Sequence, residues 1–577
     1  MQPGPQDYAP TSWQPVRQSP VTNRGMVGAK MPQAAEAGAA MLRKGGNAID
    51  AAIATAFAIG VCEPWMNGIG GGGFLVAWLA RQQRSVVISF PMVSAAAATP
   101  DMYPLAESGS GDAFLFGWPS TVDNAHVIGH RSVAVPGTVS GLALALERYG
   151  TMSLREVLEP AIALAEDGFP VTWHTTLTIA RDLTNLQKYP ETARIYLNAA
   201  GNPPVTVEQH KPSLIRQPDL ARTLRAIADD GPRAFYEGET ARAIVSHLAE
   251  NGSRITVEDF ADYQAVEEDP ITVGYHGHLV HTVGGGTGGT SLAQSLTMLN
   301  EIEGSDPRQR TTAQWHRITQ IFRQTFADRF AWLADPDHVD VPLDALLDPA
   351  YARECLASFP DDHAVTPTPG DRARLGVTHD MPGSVPEYIR DGSTTHLGVI
   401  DAEGNAVSIT QTLLAAFGSR VVAPGTGVLL NNGMMWFDPE PGRPNSIAGR
   451  KRPLSNMAPA IVTRDGAALA SVGSSGGRRI QNANVQVIAN LVDSGMTAQE
   501  AIDAPRIDTS TPALSVSARI DAAILDELAA MGHPVSVRQE HLMTSDFASP
   551  VVIRRSPEGT IDGGADPWYF PATVIAE

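Results

Sequence analysis

The chain has 577 residues, 43% hydrophobic and 18% charged, with a formal net charge of -20 and an isoelectric point near 5.2. That length and apolar content suit a core larger than one small domain, and the acidic balance argues against nucleic acid and anionic membranes as partners. Cys62 and Cys355 are its only cysteines, which excludes a disulfide framework and a cysteine zinc cluster.

Residues 1–24 open Pro/Gln-rich without the apolar stretch of a secretory leader. They predict a flexible tail, disordered or lying on the surface. The longest mostly apolar run, 51–62, is too short to cross a bilayer, so a soluble cytoplasmic protein is expected. A helix is expected over 33–44, stopped by Gly45-Gly46, and Asn47 can cap a second over 48–61. Gly68, Gly70 and Gly73 match a dinucleotide fingerprint by letter, but the apolar strand 74–79 follows where a helix is required. A tight turn with backbone close to backbone is the expectation there.

Residues 105–124 read as a Gly/Ser-rich loop, and 132–138 as a short strand leading into a helix over 139–149. Further helices are expected over 153–167, 217–229, 241–250 and 291–301, with a long amphipathic one over 311–335. The run Gly284 to Ser291 resembles a phosphate loop, but Thr290 stands where the phosphate-binding lysine must be. It is not the signature of an NTPase. His276, His278 and His281 have loosely metal-like spacing, yet in one strand His281 falls on the opposite face from the other two. A structural role is expected, with no metal. Residues 360–386 lose periodicity and predict a mobile surface segment.

That segment leads into Asp391 to Thr412, DGSTTHLGVIDAEGNAVSITQT, two β-rich runs around a turn. With Ala402-Glu403-Gly404 as the loop, Asp401 pairs with Asn405, Val399 with Val407, and Thr394 with Thr412. Two hydroxyls then face each other at the open end of the hairpin. A threonine hydroxyl inside a chain has no base of its own. It acquires one if the chain is cut just before it, because a freed α-amine titrates near pH ~8. Gly392-Ser393 is a small, deformable approach to such a cut.

A rival nucleophile follows. The strand over 467–472 runs into Gly473-Ser474-Ser475-Gly476-Gly477 and a helix over 480–494. The turn offers free N–H groups to an oxyanion, and it also matches the nucleophile elbow with Ser475 as nucleophile. Asp503 or Asp508 and His533 or His541 come after it in the order an α/β-hydrolase needs.

Ordered motifs along the chain from about Gly25 resemble the γ-glutamyltransferase family of N-terminal-nucleophile hydrolases. They include Lys44-Gly45-Gly46-Asn47-Ala48-Ile49-Asp50-Ala51-Ala52, Gly68 to Phe74 after Glu63-Pro64, Pro136-Gly137-Thr138 and Ala327-Asp328-Arg329. Thr394-Thr395-His396, Leu430-Asn431-Asn432, Arg452-Pro453-Leu454-Ser455, Gly476-Gly477 and Ala504-Pro505-Arg506 complete them. The resemblance implies an α+β fold, a four-layer αββα sandwich. It implies a precursor that cuts itself between Ser393 and Thr394 into a large chain (25–393) and a small chain (394–577), which together form one composite domain. Thr394 would be the nucleophile and its α-amine the base, Thr412 the hydroxyl beside it, Gly476 and Gly477 the oxyanion turn, and Ser455 a ligand of the substrate carboxylate. Ser475 then becomes a bystander.

The departures concern substrate. Where the family places an arginine on the carboxylate, the aligned position is Pro100. The positions around the substrate α-amine read Leu414, Gly433 and Trp436, and the second serine is Asn456. An α-amino acid head would leave its charges unpaired there, at roughly several kcal/mol. Met434, Met435 and Trp436 suggest a more apolar acyl site, and the segment between Asn445 and Lys451 is a short lid. The expectation is a threonine amidohydrolase or acyltransferase that passes an acyl group from Thr394 to water or an amine. Small or apolar amides are favoured over γ-glutamyl ones, with oxamate amidohydrolases and cephalosporin acylases as models. No cofactor is called for, the two chains stay together, and a dimer of them is possible. The alternatives are a serine hydrolase at Ser475 and an uncleaved, non-catalytic relative.

Overall fold

A computed structural model describes residues 15–107, 118–208, 210–377, 393–542, 544 and 546–577. The first 14 residues of the expected tail, 108–117 of the expected loop and 378–392 of the segment before Ser393 lie outside the described residues. Two seven-stranded sheets carry the fold. In the first, Ser393–Asp401 and Ala406–Leu414 are central. Gly25–Ala29 and then Thr573–Ala576 lie on one side of them, and Gly72–Leu79, Arg84–Phe90 and Val266–Glu268 on the other. The second runs Val21–Thr22, Ile561–Ala565, Ser549–Arg555, Ala467–Ser475, Ala460–Arg464, His278–Thr282, Ile271–Tyr275.

The sheets pack face to face, and each carries helices on its outer face. Both central hairpin strands are buried at every residue, and their polar side chains are bonded inside the fold, Ser408 donating to the Val472 carbonyl and Gln411 to the Ala56 carbonyl. Leu397, Val399, Val407 and Ile409 point to a helical layer that includes Pro32–Arg43 and Ala48–Cys62. Ile400, Ala406 and Leu414 belong to the cluster that joins the two sheets to Gly288–Leu299, Thr312–Trp332 and Arg479–Asp493. The result is the αββα sandwich. Among the described residues no helix is long and apolar enough to cross a membrane.

The helix over Ala48–Cys62 begins at a capping box: the Asn47 side chain accepts from the Ile49 and Asp50 N–H groups, and Asp50 accepts from the Asn47 N–H. Asp50 also accepts from Thr151 and Met152 at 2.8 and 3.0 Å, so this end is tied to the start of Leu154–Asp167. The other end delivers Glu63, Trp65 and Met66 to the start of Ser393–Asp401, where the Ser393 hydroxyl donates to the Trp65 carbonyl at 2.6 Å.

Three expectations need correction. Residues 132–138 are not a strand, because Pro136 has no N–H to give a ladder; a single bridge joins Val135 to Val93 before the helix Thr138–Tyr149. The helix expected from Ser291 starts at Gly288, because the Thr287 side chain caps it by accepting from the Gly289 N–H. His276 sits at φ 42 in the turn between Ile271–Tyr275 and His278–Thr282, so the three histidines do not share one strand. They disperse: His276 pairs with Asp493, His281 with Thr272 and Thr463, and His278 with the His276 carbonyl. The described part of the tail lies along the surface, one of the two alternatives expected for it. Arg17 donates to the Tyr569 and Phe570 carbonyls, Ser19 to the Gly563 carbonyl, and Val21–Thr22 pairs with Ile561–Ala565.

Candidate active site

The hairpin has the register its turn chemistry predicts. The Asp401 N–H donates to the Asn405 carbonyl, Gly404 takes φ 85, and pairs run from Ile400 with Ala406 to Thr395 with Gln411. At the open end the register slips by one, so that Ser393 pairs with Leu414 and Leu414 adopts φ 93. This bulge takes away the Thr394–Thr412 backbone pair expected from the turn, although Thr412 still pairs with Gly72 on its other side, and it turns the two threonine side chains to one point. The Thr394 hydroxyl donates to the Ser393 carbonyl at 2.8 Å and lies 3.3 Å from the Thr412 hydroxyl. Thr412 donates to the same Ser393 carbonyl and accepts from the Leu414 N–H at 2.7 Å. One peptide carbonyl thus receives two hydroxyls, one of them on the next residue.

Behind this point lies a buried polar cluster. Tyr569 donates to the Glu63 carboxylate at 2.5 Å and accepts from the Trp65 indole at 3.1 Å. Burial pushes the Glu63 carboxyl up to about 7, while the Thr395 and Tyr569 hydroxyls and Lys30 hold it lower. The Lys30 ammonium donates to the Ser549 carbonyl at 2.6 Å and to the Ser549 hydroxyl, and lies 4.6 Å from the Tyr569 ring centre. Burial brings it down to about 8. His396 donates to or accepts from Thr410 at 3.0 Å, and burial followed by the Lys30 charge drives its imidazole down to about 3. It is a neutral ring. Glu63 stood in a sequence motif, but Lys30 and Tyr569 escaped the sequence reading. A lone lysine closing the apolar strand GMVGA was the available signal for one; nothing local marks the other.

The glycine turn sits at the end of Ala467–Ser475 in the facing sheet. A Cβ on Gly398 would meet Ser471 Oγ at 2.8 Å, and one on Gly473 would meet the His396 ring at 2.2 Å. These two contacts fix how the sheets cross. The strand carrying Gly473 ends at Ser475, and Gly476-Gly477 follows it directly. Gly476 has φ 143 and Gly477 φ 62, and their carbonyls accept the Arg479 and Ile480 N–H groups of the helix that follows. The glycine N–H groups precede that ladder, as the first donors of a helix do. The acidic candidates and His533 of the serine triad bond elsewhere, and His541 is exposed. His533 bonds to His316 at 2.7 Å, Asp503 to Gln499, and Asp508 to Asn482 and Ser510.

Ser455 and Asn456 are held by Arg329, a buried guanidinium that donates to the Ser455 carbonyl at 2.6 Å and to Asn456 Oδ1 at 3.1 Å. The glycine-rich run explains itself here: Ser455 N–H donates to the Gly286 carbonyl, and a Cβ on Gly288 would lie 2.3 Å from the Asn456 carbonyl oxygen. It is a backbone seat for these two residues. The Asn456 Nδ2 group is buried without a partner. Asn445 links the Trp436 carbonyl to the Leu454 N–H, which couples Trp436 to the Ser455 segment. Gly433 donates to Asn431 and is crowded by Ala134 and Met92. Leu414, Gly433 and Trp436 are buried. Pro100 is exposed, and the nearest arginine contact on its segment is Arg254 to Thr99 at 3.0 Å. Among the described residues no group of three or more His, Cys, Asp or Glu is placed to hold a metal ion.

Comparison with known proteins bears on this geometry. The family model for gamma-glutamyltranspeptidase matches residues 34–572. The Acylase ACY 1 proenzyme of Pseudomonas sp. (strain V22) is 37% identical over 559 residues, covering 96% of this chain and 94% of its own. The glutathione hydrolase proenzyme of Bacillus subtilis (strain 168) is 34% identical over 568 residues, covering 96% and 92%. Among solved structures, cephalosporin acylase from Bacillus halodurans superposes with a TM-score of 0.84 at 27% identity, over 99% of each chain.

Proposed function

Because the chain belongs to the gamma-glutamyltranspeptidase family, we propose that it is a self-processing threonine amidohydrolase or acyltransferase whose nucleophile is Thr394. The observation that carries this reading is the convergence of the Thr394 and Thr412 hydroxyls on the Ser393 carbonyl. In maturation, Thr394 Oγ1 attacks the Ser393 carbonyl carbon while Thr412 donates to the oxygen as it gains charge. The C–N bond to Thr394 breaks, its nitrogen takes a proton, and an ester remains. Water then hydrolyses that ester, leaving a Ser393 carboxylate and Thr394 with a free amine and a free hydroxyl. The amine now serves as base for the hydroxyl. It takes the Oγ1 proton as Oγ1 attacks a substrate amide and returns it to the leaving amine. The Gly476 and Gly477 N–H groups stabilise the oxyanion, and water or an amine accepts the acyl group.

For substrate, the reading favours a small or apolar acyl group over γ-glutamyl. Buried Leu414, Gly433 and Trp436 offer no charged partner to an α-amino acid head, which would leave its charges uncompensated. The Pseudomonas relative named an acylase and the Bacillus halodurans structure of a cephalosporin acylase support that direction; the relative named glutathione hydrolase keeps γ-glutamyl amides in the comparison. The test is intact mass of wild type beside Thr394→Ala, followed by acyl anilides of apolar, dicarboxylic and γ-glutamyl type. Two wild-type fragments, one beginning at Thr394, with the variant uncut and inactive, are expected. An uncut wild type would remove the base on which the mechanism depends.

A further inference from the structure

Lys30 is a buried ammonium that the proposed mechanism does not use. It directly follows Gly25–Ala29, whose ladder with the hairpin pairs Gly28 with Gly398. Two residues further along each strand, Lys30 falls beside His396, and on the same face the next residue of the hairpin is Thr394. That face looks into the space between the sheets, since a Cβ on Gly28 would meet Val551 Cγ1 at 2.5 Å. Lys30 reaches across this space to Ser549, and Ser549 pairs with Ser475, the last strand residue before the glycine turn. Within the sheet Lys30 therefore lies one same-face step along the hairpin from the nucleophile, close enough for its charge to act on His396. A diagonal neighbour of this kind is about 7–8 Å away.

We propose that Lys30 holds the freed α-amine of Thr394 in its neutral, proton-accepting form, acting through the field of its ammonium; this rests on Thr394 being the processed nucleophile. Lys30 is a positioning residue, since it acts through the amine and touches no reacting atom. The other ionisable groups around the amine divide by face and by charge. His396 on the same strand is neutral. Arg479, from the helix after the glycine turn, is bonded to the Gly476 carbonyl at 3.2 Å and is countered by Asp508. Glu63, with Cys62 beside it, lies on the helical side of the hairpin next to Thr395. It carries little charge below its raised value of about 7. Asp566, Arg17, Arg506, Asp503, His174 and Tyr569 lie beyond Lys30, around the C-terminal loop. In the acid range where the amine must give up its proton, Lys30 is charged and Glu63 is largely not. The local field then disfavours a second ammonium.

The test is the pH dependence of the burst of p-nitrophenolate from p-nitrophenyl acetate, measured on processed wild type, Lys30→Met, Lys30→Arg and Thr394→Ala. Two unit charges at that spacing in an effective dielectric of about 20–40 shift a titration by roughly one to two pH units. The acid limb of Lys30→Met should move up by that amount, with Lys30→Arg staying near wild type. An unmoved limb in a processed Lys30→Met that still bursts would overturn the proposal. If Lys30→Met does not mature, wild type decides alone: its limb should lie below the ordinary α-amino value of about 8, and a limb at or above it overturns the proposal. A burst retained by Thr394→Ala sinks the nucleophile reading itself, a different failure.

Discussion

Glu63 and Lys30 face each other across Tyr569 inside the protein, and burial moves their titrations toward one another, to about 7 and about 8. The sign of the consequence for Glu63 is definite. Its folded value lies above its unfolded one, so between pH ~4.5 and ~7 the unfolded chain has released a proton that the folded chain still holds, and stability falls as pH rises through that window. The full window corresponds to about 3 kcal/mol. Glu63→Gln keeps an acceptor for Tyr569 and removes the titration. Its thermal midpoint should drop less between pH 5 and 7.5 than that of wild type, and parallel profiles would show that Glu63 is not titrating there. At this scale the sequence was readable where a residue sits in a local motif. Thr394 and Thr412 were singled out by the hairpin register and the glycine pair by its turn, whereas Ser455 came from the family resemblance. Lys30 and Tyr569 were not, because their meaning depends on which remote residues are brought against them.

Among the elements, the hairpin is the one whose geometry local chemistry nearly determines, and Asp401 shows why. One carboxylate oxygen accepts from the Glu403 and Asn405 N–H groups at 3.0 Å each, and the other from Asn405 Nδ2 and the Ala48 N–H at 2.8 and 2.9 Å. The same side chain therefore closes the turn and anchors the first residue of Ala48–Cys62. Asp401→Ala leaves those N–H groups unpaired and should cost about 2–4 kcal/mol, read as a fall of several degrees in thermal midpoint. Asp401 ends the strand seven residues after Thr394, so the turn is about 23 Å from Thr394. Cleavage and acylation should stay close to wild type; an uncut Asp401→Ala chain would place the turn within the catalytic machinery. The bulge at Thr394 was not legible in the same way. It depends on the Thr412 hydroxyl taking the Leu414 N–H and on Leu414 at positive φ, neither of which leaves a mark on the pattern of apolar residues. The histidines and residues 132–138 were misplaced for a related reason: short segments carry too little periodicity to separate a strand from a turn or a bridge.

At the scale of the molecule, the chain before Ser393 and the chain after it are woven into both sheets. Ser393–Asp401 lies against Gly25–Ala29, Ala406–Leu414 against Gly72–Leu79, and Ala460–Arg464 against His278–Thr282. The pairing of residue 28 with residue 398 cannot be read from periodicity, and at the sequence level this architecture rested on family resemblance alone. Its consequence for a cut at Thr394 is physical. Removing either fragment would strip hydrogen-bonded neighbours from three buried strands and expose their edges, which water solvates but other strands seek. The apolar faces packed between the layers would be exposed with them. Cleavage should therefore leave a single native species of 61.2 kDa per pair of fragments. Native mass spectrometry should show the fragments together and denaturing conditions should separate them, with the isolated small fragment aggregating on removal of denaturant. A small fragment that runs alone and soluble in native buffer would mean that the two sheets do not depend on both parts of the chain.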